Sequence, residues 1–121
     1  QAWEGIPEMS AENEVIAFAK KNAAQLMQPW EGPTSLATGI LDDVTYDWLG
    51  VIRALLLTKG GSVVASEENI ILASELVLDL GIPTEPTGSA SIAGIISLME
   101  QGKISDSHKV AALLTGRNRG E

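Results

Sequence analysis

The chain has 121 residues, enough for one compact domain with an apolar interior, and its composition, 45% hydrophobic and 20% charged, is that of a folded protein rather than a disordered tail. Eight Lys and Arg against 16 Asp and Glu give a net charge of −8, which argues against a nucleic-acid surface built from clustered cations. With no cysteine and one histidine, His108, the chain has no disulfide framework, no thiolate nucleophile and no catalytic triad.

Ser10 is placed to cap a first helix with Glu12 and Glu14 in its opening turn, followed by Ile16, Ala19, Ala23 and Met27 at helical spacing until Pro29 stops it. "PWEGP" (29–33) reads as a turn, and "TSLATGIL" (34–41) as a short buried strand in which Gly39 marks a close backbone approach. After Thr45, a second helix carries Trp48, Leu49, Ile52, Leu55 and Leu56 on one face and ends at Lys59, Gly60 and Gly61. "SVVAS" (62–66) has strand composition. Ser66 then caps a third helix over 67–80, whose Glu67 and Glu68 complement the helix dipole and which Gly81 closes. "IPTEP" (82–86) fits a short or edge strand, because Pro83 and Pro86 have no ladder donor. "GSASIAGIISLMEQG" (88–102) predicts a fourth helix, "HKVAALLTG" (108–116) a final strand, and "RNRGE" a polar end.

This alternation implies an α/β fold, a three-layer α/β/α arrangement around a mostly parallel sheet, formed by residues 1–121 as a single domain or fragment. No apolar run reaches the roughly 18–20 residues of a membrane span, and the N-terminus lacks the basic-then-apolar order of a signal peptide. The expectation is a soluble chain compatible with a reducing cytoplasm, with neither membrane nor nucleic acid as partner.

In open α/β sheets, ligands bind beyond the carboxyl ends of the strands. Two stretches fall there: Thr115 with Gly116 after the last strand, and Glu85 before Gly88, Ser89 and Ala90. The small residues Gly88, Ser89, Ala90, Ala93 and Gly94 let a helix approach either a flat ligand or its packing neighbour closely. Glu85 can equally be a solvated carboxylate at a helix terminus, and Thr115 a turn hydroxyl bonded to its own loop. His108 reads as a solvated loop residue. Asp42, Asp43 and Asp47 match no cation-binding loop, so no metal is assigned to them. Arg117 and Arg119 read as solvent-facing, and Trp3, Trp30 and Trp48 as core or interface anchors.

The run from "VASEENIILASELVLDLGIPTEPTGSASIAGI" to "HKVAALLTG", together with "SLATGI", resembles the closing segment of fold type II pyridoxal-phosphate (PLP) enzymes, the group of threonine synthase and threonine dehydratase. The likeness spans about residues 34–116. It implies that Glu85, in the "EP" before a small-residue helix, stands near the cofactor ring. It also implies that Thr115, in "LLTG" with Gly116, hydrogen-bonds the pyridine nitrogen and leaves it mostly unprotonated. The family's Schiff-base lysine and glycine-rich phosphate loop have no counterpart here: Lys20, Lys21, Lys59, Lys103 and Lys109 all lie outside that lysine's context. Covalent attachment of PLP to this chain is therefore not expected, and no catalytic residue is assigned within it.

The resemblance thus implies the C-terminal part of a larger PLP-dependent lyase or synthase acting on a small amino-acid substrate, inactive alone and partnered by the remainder of the parent enzyme. A homodimer through apolar surface is a further expectation. The alternative is an autonomous, non-catalytic α/β module that binds a partner.

Overall fold

The computed structural model describes residues 12–116, so the expected Ser10 cap, Trp3, Arg117 and Arg119 lie outside the described residues. The backbone falls into two compact units. One joins the residues up to Pro33 with Asp42–Ser62, and the other joins Thr34–Leu41 with the residues from Val63 onward. Among the described residues no helix is long and apolar enough to cross a membrane.

The first unit contains α1 (Glu12–Lys21), the single turn α2 (Ala23–Leu26) and α3 (Trp48–Thr58). α1 packs against α3 and buries Val15 and Ala19, two of the small-to-medium apolar positions on one stripe. The expected first helix is interrupted at Asn22, whose side-chain amide donates to Phe18 O at 2.8 Å. That bond gives the Phe18 carbonyl a second donor beside the Asn22 amide and lets the backbone depart from helical geometry (φ −107°, ψ 19°). Arg53 and Glu12 form an exposed ion pair at 2.8 Å, worth little in water. Trp48 is half-buried, whereas Trp30 is 58% exposed and no core anchor.

α3 stops where the Lys-Gly-Gly signal predicts. Lys59 N–H donates to Leu56 O at 3.3 Å and Gly60 N–H to Leu55 O at 2.9 Å, the paired bonds of a Schellman turn, with Lys59 in the left-handed region (φ 52°). In the second unit Gly81 (φ 75°) ends its helix with the same two bonds, from Gly81 to Leu78 and from Ile82 to Val77. A Cβ costs roughly 1–2 kcal/mol in that conformation, so Lys59→Gly is expected to raise stability by about 1 kcal/mol. Thermal unfolding checks this, and an unchanged or lowered melting temperature counts against it.

The second unit is built on α4 (Glu67–Asp79) and α5 (Pro86–Glu100), with a 3₁₀ turn at Thr38–Ile40 packed on α5. α4 begins as its sequence predicts: the Ser66 side chain accepts from Asn69 N–H at 3.2 Å. α5 starts two residues earlier than expected, with Pro86 in its first turn, where a missing N–H costs nothing. The two helices run antiparallel, because Asn69 meets Ser97 (3.0 Å) while Ser74 meets Ser89 (2.9 Å). Ala37, Ile70, Ala73 and Ala93 form the buried cluster, flanked by Ala65, Ile92 and Ile96. Small side chains at Ala73, Ser89 and Ala93, each 0% exposed, allow the helices to approach closely.

The three-layer α/β/α fold with a parallel sheet is not what the structure shows, since no strand forms among the described residues. Several of the segments read as strands have backbone groups engaged by helices or side chains instead. In 34–41, Leu36 N–H donates to the Glu67 carboxylate and Gly39 N–H to Thr87 Oγ1, both at 2.9 Å. In 82–86, Ile82 N–H closes the end of α4, and two prolines follow. Residues 113–116 are tied to α5 and to Thr84. Val64, in 62–66, is 89% exposed. A short apolar or β-branched run identifies a segment suited to a pleated surface, but a strand also requires a neighbouring segment to complete its ladder. Among the described residues no backbone ladder joins any two of these segments; 82–86 and 113–116 meet instead through the Thr84 side chain.

Candidate functional site at the start of α5

Glu85 occupies the N-cap position of α5 in extended geometry (φ −102°, ψ 166°), and its side chain makes no capping bond. Its carboxylate is exposed and stands over Gly116, where an added Cβ would lie 2.9 Å from Glu85 Oε1. Thr115 N–H donates to Gly88 O at 3.4 Å, and Thr84 Oγ1 donates to Gly116 O at 2.6 Å. Just upstream, Ser91 Oγ donates to Leu113 O at 2.7 Å. Glu85, Thr115 and Gly116, some 30 residues apart in sequence, are therefore brought together. The meeting point is the first turn of α5, not the edge of a sheet.

The lack of bulk after Glu85 has a direct cause. An added Cβ on Gly88 would overlap Thr84 Oγ1 and would stand 2.5 Å from Gly116 O and 2.8 Å from Gly116 N. Only a glycine lets 113–116 dock there. Ser89 is fully buried against Ser74, and a Cβ on Gly94 would come within 3.2 Å of Val63 Cγ1. At Gly88 and Ser89 the small-residue face is thus filled by protein packing. A half-open apolar hollow of about 340 Å³ lies further along α5, lined by residues including Ile40, Val63, Ile70, Gly94 and Leu98, and contains no titratable group.

The remaining candidates do not join this cluster. His108 closes a local turn, its Nδ1 accepting from Ser105 N–H at 3.1 Å. Asp42, Asp43 and Asp47 are exposed, and among the described residues no group of His, Cys, Asp or Glu is arranged to hold a metal ion. Glu67 is held below the usual carboxylate range, first by the Leu36 amide and then by the Ser35 hydroxyl; this ties the 34–41 segment to α4 and has no part in the cluster at Glu85. Thr84, 3% exposed, was not singled out in the sequence. The only sign was a hydroxyl amino acid between two prolines, and its partner lies 32 residues away.

Comparison with known proteins places these residues in context. No family model matches the chain, and no solved structure does. The chain is 32% identical over 92 residues to the threonine synthase of Mycobacterium tuberculosis, a match covering 75% of this chain and 26% of that protein. It is 30% identical over 122 residues to the threonine synthase of Bacillus sp. (strain ULM1), covering 94% and 35% respectively. To that of Methanocaldococcus jannaschii it is 29% identical over 113 residues, covering 93% and 27%. The chain is threonine-synthase-like over most of its length and spans about a quarter to a third of the relatives it matches.

Proposed function

We propose that the chain forms the pyridine-nitrogen side of the PLP pocket in a threonine-synthase-like lyase acting on an amino acid. The Schiff-base lysine is then supplied by the remainder of the parent enzyme. The observation that carries this reading is the meeting of Glu85, Thr115 and Gly116 at the first turn of α5, in a chain whose sequence is similar to threonine synthases.

The donor set suits that role. A neutral hydroxyl amino acid, Thr115, and a carboxylate, Glu85, are both exposed at one place, joined by Gly116, whose lack of a side chain lets it pack against Glu85 and the Gly88 backbone. Thr115 would donate to the ring nitrogen and leave it uncharged, Gly116 would hold Thr115 against α5, and Glu85 would set the charge beside the ring. When bound, PLP supplies the electron sink for carbanion chemistry at the substrate, and the protein's part is to orient it and tune that sink through the nitrogen partner.

Thr115→Ala in the full-length protein tests this. Losing one neutral hydrogen bond, worth about 1 kcal/mol, should weaken PLP binding by up to about tenfold and displace the absorption band of the bound cofactor. Unchanged affinity, spectrum and turnover would overturn the proposal and favour a binding module that makes no use of Thr115.

A further inference from the structure

We infer that Thr84 is the positioning residue that fixes Thr115 and Gly116 at the start of α5, an inference that rests on the reading of that edge as part of a PLP pocket. Of the bonds that hold 115–116, the one from Thr84 Oγ1 to Gly116 O is short, at 2.6 Å, whereas Thr115 N–H reaches Gly88 O only at 3.4 Å. The Thr84 side chain is 3% exposed, so its bond is shielded from competing water, while Thr115 itself is exposed. Thr84 is also β-branched, so its hydroxyl is carried by a side chain that is stiff at χ1.

The same hydroxyl lies where a Cβ on Gly88 would be, so Thr84, Gly88 and Gly116 interlock as three surfaces in contact. Fixing the Gly116 carbonyl holds the backbone on which Thr115 stands. Thr84 touches neither ring nor substrate in this arrangement. It determines where the residue that would touch them stands.

The test compares Thr84→Val, which keeps the shape and removes the hydroxyl, with Thr84→Ser, which keeps the hydroxyl. In the chain without cofactor, Thr84→Val should speed hydrogen exchange at the Thr115 amide by about tenfold, the equivalent of one lost hydrogen bond, and Thr84→Ser should restore most of the protection. In the full-length protein, Thr84→Val should displace the PLP absorption band in the same direction as Thr115→Ala, with Thr84→Ser close to the unsubstituted protein. Equal exchange in the Val and Ser variants would overturn the positioning role. A change in exchange with no change in the PLP band would uphold the positioning role and sink the cofactor reading alone.

Discussion

Gly88→Ala is expected to lift residues 113–116 off α5. One methyl group placed 2.5 Å from a backbone oxygen and 2.8 Å from a backbone nitrogen cannot be accommodated by rotating a side chain, so the docked segment must move. Three hydrogen bonds go with it: Thr84 to Gly116, Thr115 to Gly88 and Ser91 to Leu113. At about 1 kcal/mol each the loss approaches 3 kcal/mol, offset by roughly 1 kcal/mol because Ala suits a helix better than Gly. Gly94→Ala is the control, since its new methyl meets only a Val63 methyl at 3.2 Å, which can give way. Urea denaturation with amide exchange at Thr115 and Gly116 should separate the two variants. Equal effects would show that the close approach at Gly88 does not govern docking.

Asn69→Asp should be the most damaging polar change in the α4–α5 pair. The buried Asn69 amide donates to Ser97 Oγ at 3.0 Å and to Glu100 Oε2 at 2.8 Å. An ionised carboxylate in its place donates to neither and faces Glu100 with like charge, at an expected cost of about 3 kcal/mol or more. The sign of the pH dependence follows. Burial and the Glu100 carboxylate would raise the introduced group's pKa in the folded state, so the folded protein binds more protons than the unfolded one between the ordinary carboxylate value, about 4, and the raised value. The variant's stability therefore falls as pH rises through that window and levels off above it. Chemical denaturation at a series of pH values from mildly acid to neutral checks this, and a loss of stability independent of pH would show that the two carboxylates do not interact.

The helices of this chain were legible because their signals are local. Ser66, Glu67 and Glu68 start α4, Gly81 ends it, and the Lys59-Gly60 pair ends α3, each acting within a turn or two of its own position. The break at Asn22 was missed because an amide side chain that bonds its own backbone competes with a helix pattern that otherwise continues. The strands were misread because a short apolar run such as 34–41 or 108–116 is a local feature and does not identify the neighbour a ladder needs. At the candidate site, Glu85, Thr115 and Gly116 were singled out from their motifs, and the structure brings them together at the first turn of α5. Thr84 was not, because its significance depends on a carbonyl 32 residues away that no local pattern encodes.

The pairing of α4 with α5 has a consequence for the order of assembly. The two helices are joined by residues 80–85 alone, and their register is pinned by side chains within that one hairpin, Asn69 with Ser97 and Ser74 with Ser89. Such a unit has low contact order, and helical units of this kind form in microseconds to milliseconds. The groove around Gly88 would then be complete while the last residues of the segment are still leaving the ribosome, so that 113–116 arrive as a latch closing on a finished socket.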